Sequence, residues 1–281
     1  MNVEQRLLER AGSLTPSERR IGEMILATPQ LVAFGTVADV AEASSVGTAT
    51  VVRFAVKLGY DGYSELQASV RREVSGQLRP AVERIRDQHD PGDDTLIGRH
   101  AEVEGANVRS TLDGLDASAL AEVVGRLADV DQAVLVLSGV ASRGVAHQFV
   151  GDLEQLRPGV RLLDGTDVDI VRTLALAGDG ATLVVLDLRR YERWLLEALD
   201  HASSVWTVAI TDSVLSPLAA AADRSFVVSA ASAGPFDSHV GTLALLNLLV
   251  IDVAAARRDD ATVRLDRLEA AWRAADALTD D

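Results

Sequence analysis

The sequence of 281 residues contains no cysteine. This absence excludes disulfide bonds, thiolate metal sites and cysteine nucleophiles. The sequence also lacks an uninterrupted apolar run of the roughly 20 residues that a membrane-spanning helix needs. Its most hydrophobic segment, 240–256, contains Asn247 and Asp252, so we expect a buried helix there and no membrane association. The charged amino terminus lacks the apolar core of a signal peptide, which favours a cytoplasmic protein.

Basic residues are also scarce, because 27 Lys and Arg stand against 42 Asp and Glu and leave a net charge of −15. A chain this acidic is not expected to bind DNA readily, since DNA affinity depends on Lys and Arg that neutralise phosphates. The deficit is uneven: residues 1–77 hold eight basic and nine acidic side chains, and the remaining residues hold 19 and 33. The asymmetry indicates one part that can approach DNA and another with a different task.

Helix start and stop signals are clear in residues 1–77. Thr15, Pro16 and Glu18 combine an N-cap, a first-turn proline and a capping box. The helix that they begin should end near Thr28, because Pro29 disfavours helical geometry in the residue before it. The pattern predicts an all-α domain.

Two further helices are predicted at 37–43, after the N-cap residue Thr36, and at 48–58. Joined by a tight turn, they have the outline of a DNA-reading helix-turn-helix, although ordinary packed helices show the same spacing. The second helix has an apolar stripe that should face the core. Its outer face would carry Thr48, Ala49, Val52, Arg53 and Lys57.

The remainder of the chain has a different pattern. Residues 78–104 are charged and include a Pro-Gly-Asp-Asp cluster, which indicates a linker and a connecting helix. At 105–257, short apolar runs alternate with helical segments, as is typical of an open parallel sheet flanked by helices. A carboxyl-terminal helix is expected within 258–281, with its periodic part from Val263 to Leu278. The predicted fold class is therefore an all-α helix-turn-helix domain followed by an α/β domain.

Ligands of open parallel sheets bind outside the carboxyl ends of the strands. The first strand is followed by a turn in which Gly139 permits a sharp bend and Ser142 and Arg143 begin a helix, whose N-terminus suits an anion. Such turns also contain small residues for steric reasons alone. Before the apolar helix, Asp237 is expected as the N-cap, and Ser238 either caps the helix or contacts a ligand.

Two pairs of segments resemble known families. LTPSERRI (14–21) and TATVVRFAVKLGYDGYSEL (48–66) resemble the amino-terminal domain of the RpiR family of bacterial transcription regulators, with Ser45 where a helix-turn-helix usually has glycine and Gly47 where the family often has serine. LVLSGVASRGVAHQFVGDL (135–153) and VAITDSVLSPLAAAAD (208–223) resemble the SIS (sugar isomerase) domain. That domain binds phosphosugars and is the partner domain of the RpiR family.

The SIS resemblance breaks at one segment. Where the family carries a Ser-x-Ser-Gly stretch that holds a sugar phosphate, this sequence has Asp187-Leu188-Arg189-Arg190. Guanidinium groups can hold a phosphate or a carboxylate in bidentate fashion, although both arginines could equally be the solvated start of a helix. The expected ligand is a small acidic metabolite, either a phosphosugar or another anion, bound by Gly139, Ser142, Arg143, Arg189, Arg190 and Ser238.

The resemblance implies a transcription regulator that forms a homodimer or a higher homo-oligomer and binds an inverted-repeat operator in double-stranded DNA. We expect base contacts from Thr48 and Arg53 and phosphate contacts from Lys57, Arg19 and Arg20. The helices at 243–253 and 263–278 are the expected dimer surfaces.

Two alternatives stay open. The chain could be a phosphosugar isomerase with a helical extension, in which Asp187, Glu192 or His239 transfers protons. It could also be a regulator whose SIS domain only dimerises. No cofactor is expected, and no metal site either, because no two of the five histidines have metal-ligand spacing.

Overall fold

The computed structural model describes residues 3–10, 13–27, 29–78, 81–87, 93–214 and 216–279. The chain divides into two compact units, at 1–84 and 85–281. Helices make up the first unit: α1 (Val3–Arg10), α2 (Pro16–Ala27), α3 (Pro29–Phe34), α4 (Val37–Ala43), α5 (Thr48–Lys57) and α6 (Tyr63–Leu78). Another helix, α7 (Ala81–Asp87), crosses the boundary between the units.

The predicted helix starts of the first unit are confirmed. The backbone N–H of Thr15 donates to the Glu18 carboxylate at 2.7 Å, and the Glu18 N–H donates to the Thr15 hydroxyl. Thr36 forms the same reciprocal pair with Asp39 before α4. Pro29 was expected only to end a helix, but it also begins α3, because a proline has no N–H to lose in the first turn. Gln67 of α6 holds α3 through bonds to the carbonyls of Val32 and Gly35.

The second unit is an α/β domain, and the predicted open parallel sheet is confirmed. Its strands are β1 (Val134–Ser138), β2 (Val160–Leu162), β3 (Thr182–Leu186), β4 (Trp206–Thr211) and β5 (Arg224–Val227), all parallel in the order β2-β1-β3-β4-β5. The helices are α8 (Asp93–Asp113), α9 (Ala117–Ala128), α10 (Arg143–Leu156), α11 (Asp167–Ala175), α12 (Arg193–Leu199), α13 (Pro217–Ala221), α14 (Val240–Ala256) and α15 (Arg258–Ala274).

Two apolar clusters cover the faces of the sheet, which explains why the strands are continuous apolar runs. One cluster joins β-strand side chains to α9, α10 and α14, and includes Phe149 and Leu249. The other joins them to α11, α12 and α13, and includes Leu174 and Leu195. The helices therefore sandwich the sheet and leave its carboxyl edge as the place where loops converge.

The apolar segment 240–256 forms α14, a core helix as expected, with Leu245, Leu246 and Leu249 at most 1% exposed. In the part of the chain that the structure describes, no helix by itself has the length and apolar character to cross a membrane. The pair α14 and α15 reaches that length and apolar character only when the two helices are taken together, and they meet at a bend of 103°. The helix α15 begins at Arg258, earlier than the predicted Val263, and the acidic pair Asp259 and Asp260 in its first turn favours that start.

Candidate functional site

The helices α4 and α5 are joined by a tight turn at residues 44–47. The N–H of Val46 donates to the carbonyl of Ala41 at 2.9 Å, which closes the end of α4. Ser45 has a φ of +51°, the left-handed conformation for which a helix-turn-helix usually uses glycine. Gly47 is the N-cap residue of α5 and offers no side-chain hydroxyl to it. Both departures from the family pattern therefore lie in the turn, and the turn still forms.

The outer face of α5 carries the residues predicted to read bases. Val51, Phe54 and Ala55 are fully buried, so the opposite side of the helix faces outward. Thr48, Ala49, Val52 and Arg53 are exposed there. Among the described residues, the Arg53 guanidinium donates to Thr50 alone, on its own helix, at 3.4 Å.

Two of the three residues expected to contact phosphates also hold the domain together. Lys57 Nζ lies 2.7 Å from both the Glu18 carboxylate and the carbonyl of Ser13, and the bond to Lys57 is the main cause of a lowered pKa of Glu18. Arg20 donates to the carbonyl of Ser44 at 3.3 Å and so braces the turn. Arg19 is exposed. The sequence pattern did not show the Lys57–Glu18 pair, because it joins helices 39 residues apart.

At the carboxyl edge of the sheet, β1 and β3 are neighbours although the chain visits β2 between them. This switch point is where open parallel sheets form ligand crevices. Ser138 pairs with Leu186, so Gly139 and Asp187 follow side by side. A Cβ on Gly139 would lie 2.4 Å from Asp187 Oδ1. Gly139 is therefore needed for the close approach of the Asp187 carboxylate to the turn.

Ser142 is the N-cap residue of α10, but its side chain does not cap the helix. The residue is 1% exposed, and its Oγ has no hydrogen-bond partner within the described residues. A buried hydroxyl without a partner costs free energy, unless a ligand supplies the missing bond. Of the predicted ligand residues, Ser142 is thus the one with a buried hydroxyl that is left for a ligand to bond.

The loop from Asp187 to Glu192 turns two carboxylates toward the β1–α10 turn. Asp187 is 3% exposed and accepts the N–H groups of Leu188 and Glu192, both at 3.0 Å. Glu192 Oε1 accepts the N–H of Val140 at 2.6 Å, and Oε2 accepts the indole N–H of Trp194. Burial, assisted by the charge of Glu192, raises the pKa of Asp187 to about 6.

The three predicted arginines have different surroundings. Arg189 pairs with Asp237 at 2.8 Å and also donates to the carbonyl of Ala230. Arg190 is exposed and has a φ of +67°. Arg143 is exposed and lines a cavity of about 200 Å³, whose other lining residues include Val140, Trp194, Asp164 and Asp167.

Residues 237–239 differ from the prediction in one respect. Asp237 was expected to cap α14, but the N-cap residue is His239, because the Asp237 carboxylate is held by Arg189. Ser238 Oγ donates to Glu104 of α8 at 2.5 Å and accepts the N–H of Val240. Burial lowers the pKa of His239. Ser238 is therefore near the crevice loops but already bonded.

Comparisons with known proteins agree for both units. Residues 1–77 match the family model described as the helix-turn-helix domain of the rpiR family. An uncharacterised HTH-type transcriptional regulator of Caldanaerobacter subterraneus is 26% identical over 90% of this chain and 90% of its own length. Another, of Haemophilus influenzae, is 28% identical over 87% of this chain and 85% of its own length. The sugar isomerase domain of an RpiR transcription factor from Sphaerobacter thermophilus is 28% identical, with a TM-score of 0.57, over 62% of this chain and 98% of its own.

Residues 1–77 thus match the helix-turn-helix domain of the rpiR family, and the chain as a whole is similar to RpiR-type transcriptional regulators. Its fold also matches the Vibrio vulnificus NanR protein complexed with ManNAc-6P, at 20% identity and a TM-score of 0.56, over 96% of this chain and 98% of that one.

The crevice contains functional candidates that the sequence pattern alone does not reveal. The sequence points to Glu192 only as a proton-transfer residue of the isomerase alternative, and it gives no role to Asp212 or Glu104. Tyr191 donates to Asp212 at 2.7 Å, and burial raises the pKa of Asp212. Asp212 directly follows β4, at the strand end where ligands of parallel sheets bind, and this position is the one signal that could have indicated it.

Proposed function

We propose that this RpiR-family regulator binds an inverted-repeat operator through α5 and changes its operator affinity when a small acidic metabolite binds at the carboxyl edge of its SIS domain. The observation that carries the first part is the exposed outer face of α5 on a domain of the rpiR family. In such motifs the second helix enters the major groove, and a dimer presents two copies one helical turn apart.

For the DNA side, we propose that Thr48 and Arg53 contact bases and that Arg19, Arg20 and Lys57 contact phosphates. One helix offers few charges, so useful affinity requires a dimer. Exposed apolar residues on α14 and α15 support these helices as the dimer surface, since Ile251 is 62% and Val263 60% exposed.

For the ligand side, the unpartnered hydroxyl of Ser142 at the N-terminus of α10 supports a polar ligand. The exposed Arg143 and Arg190 support an acidic one. The NanR protein, which shares the fold, is complexed with a phosphosugar. A ligand changes DNA affinity only if its affinity differs between the DNA-binding and the released arrangement of the dimer.

The DNA part is tested by fluorescence anisotropy with a labelled fragment from upstream of the protein's own gene. Arg53→Ala should weaken specific binding by about 1–3 kcal/mol per lost base contact. Arg109→Ala removes one exposed arginine from α8 in the other unit and is the matched control, with wild-type affinity expected. Unchanged affinity of Arg53→Ala would exclude α5 as the reading helix.

The ligand part is tested by adding phosphorylated and carboxylated metabolites to the operator complex. A shift of the operator affinity that Ser142→Ala abolishes supports sensing at the crevice. If no metabolite shifts the affinity and none raises the melting temperature, the SIS domain only dimerises.

An isomerase is the second candidate, and the raised pKa of Asp187 is the observation that favours it. A carboxyl group with a pKa of about 6 suits proton transfer near neutral pH. Both of its oxygens, however, already accept backbone N–H groups. Turnover of an aldose phosphate that Ser142→Ala abolishes would establish this activity.

A further inference from the structure

The N–H of Val140, in the turn that leads into α10, is occupied by a side chain from another part of the chain. Glu192 Oε1 accepts this N–H at 2.6 Å across 52 residues of sequence. A turn before a helix of 14 residues is a place where an external anion gains from backbone donors and the helix dipole. The Glu192 carboxylate is an internal anion at that place.

Glu192 does not serve the helix that it begins. It is the N-cap residue of α12, yet its side chain makes no capping bond. The carboxylate instead bridges Val140 and the indole of Trp194, and both of these residues line the cavity of about 200 Å³. Its contacts are thus directed at the crevice between β1 and β3.

A second carboxylate reinforces the negative charge at this turn. The Asp187 carboxylate lies so close to Gly139 that any side chain at position 139 would collide with it. Arg189, whose side chain is half-buried on the same loop as Asp187, is engaged by Asp237. A phosphate group placed at the turn would therefore meet two carboxylates at close range, and in a partly buried site such repulsion is poorly screened.

Ser142 gives independent evidence that the crevice takes a ligand. Its hydroxyl is almost completely buried at the N-terminus of α10 and has no partner among the residues that the structure describes. The site thus keeps one unsatisfied hydroxyl while its turn N–H is already satisfied by Glu192. That combination suits a ligand that brings hydroxyl groups and no phosphate to the turn.

We propose that Glu192 determines the specificity of this site: it fills the anion position at the β1–α10 turn and excludes phosphate esters, so that the effector is a non-phosphorylated, hydroxyl-bearing carboxylic acid. This inference rests on the proposed function and narrows its ligand class. The exposed guanidinium group of Arg143, which lines the cavity, is the partner for the ligand carboxylate, since arginine binds carboxylates in bidentate geometry.

The test is isothermal titration of the full chain with inorganic phosphate, the simplest probe of the anion position. Glu192→Ala removes the internal anion, and its affinity for phosphate should exceed that of the wild type by at least about tenfold, which corresponds to roughly 1.4 kcal/mol. Glu192→Gln keeps most of the side-chain volume without the charge and should gain affinity in the same direction, which protects the test if the alanine variant folds poorly. Glu197→Ala, an exposed glutamate of the same helix, should behave as the wild type.

Two results would overturn the proposal. One is phosphate binding by the wild type as tight as by both Glu192 variants, and the other is no phosphate binding by any of them. Because the titration contains no DNA, it is independent of the regulatory claim. A wild type that binds phosphate and then releases its operator would refute the role of Glu192 and leave the proposed function intact. A gain of phosphate affinity, together with an operator affinity that no metabolite changes, would refute the proposed function alone.

Discussion

Asp187→Asn should remove part of the pH dependence of the stability of the SIS domain. Burial raises the pKa of Asp187 from 3.8 to about 6. Between these values the folded protein keeps a proton that the unfolded chain has released, so the stability contribution is present at low pH and is lost as the pH rises through 6. At about 1.4 kcal/mol per pH unit, the full loss is about 3 kcal/mol.

Most of this loss, about 2 kcal/mol, falls between pH 4.5 and pH 7.5. Asparagine is neutral like protonated aspartic acid, but its amide nitrogen cannot accept the second of the two N–H groups that Asp187 accepts, so the variant also carries a loss of stability that does not depend on pH. The change of stability with pH therefore isolates the charge. From pH 4.5 to pH 7.5, the unfolding free energy of the wild type should therefore fall by about 2 kcal/mol more than that of Asp187→Asn. At pH 4.5, where both side chains are largely neutral, the variant should be less stable than the wild type by the cost of the lost N–H acceptor.

Urea unfolding followed by tryptophan fluorescence measures this quantity without interference from the helical unit. All three tryptophans, Trp194, Trp206 and Trp272, lie in the second unit. Asp200→Asn changes an exposed aspartate of the same unit and is the control. A difference between Asp187→Asn and the wild type that stays constant from pH 4.5 to 7.5 would refute the reasoning.

Two further predictions concern stability. Arg157 is fully buried and donates to the carbonyls of Leu127, Gln132 and Pro158. Arg157→Met should therefore lower the unfolding free energy by about 3–5 kcal/mol in the same fluorescence assay. The control Arg172→Met removes an exposed ion pair and should lower it by less than about 1 kcal/mol. An equal loss in both variants would contradict a special role for the buried guanidinium. Ser45→Gly should stabilise the helical unit by roughly 0.5–1 kcal/mol, because glycine adopts a φ of +51° without strain, and thermal unfolding by circular dichroism should show no such gain for Ser45→Ala.

Local signals in the sequence predicted local structure well. Thr15 and Thr36 each form a capping box with a residue three positions later, so both partners are visible in a short window. The apolar runs of the second unit predicted buried strands for a similar reason, because burial on both faces removes the need for alternation. The Asp237 cap was predicted wrongly on the same kind of signal, since Arg189, 48 residues away, takes the carboxylate that the local pattern assigned to α14.

The sequence predicted several residues of the candidate site but not the hydrogen bonds between them. Small residues after β1 indicated the turn, and Ser142 lies there with an unpartnered hydroxyl. The sequence also showed that arginines replace the family's phosphate-holding stretch. It did not show that Glu192 reaches the turn, because that contact depends on β1 and β3 being neighbours in the sheet.

By itself, the sequence determined the starts of α2, α4 and α5, the alternation of strands and helices, and the family resemblance, because capping, periodicity and motif spacing depend on residues close together in the chain. The tertiary structure alone decided which charges meet. It paired Lys57 with Glu18 and Arg189 with Asp237, and it placed Glu192 on the N–H of Val140. Electrostatic interactions act through space, and only the packed fold sets the distances and the burial that give them their strength.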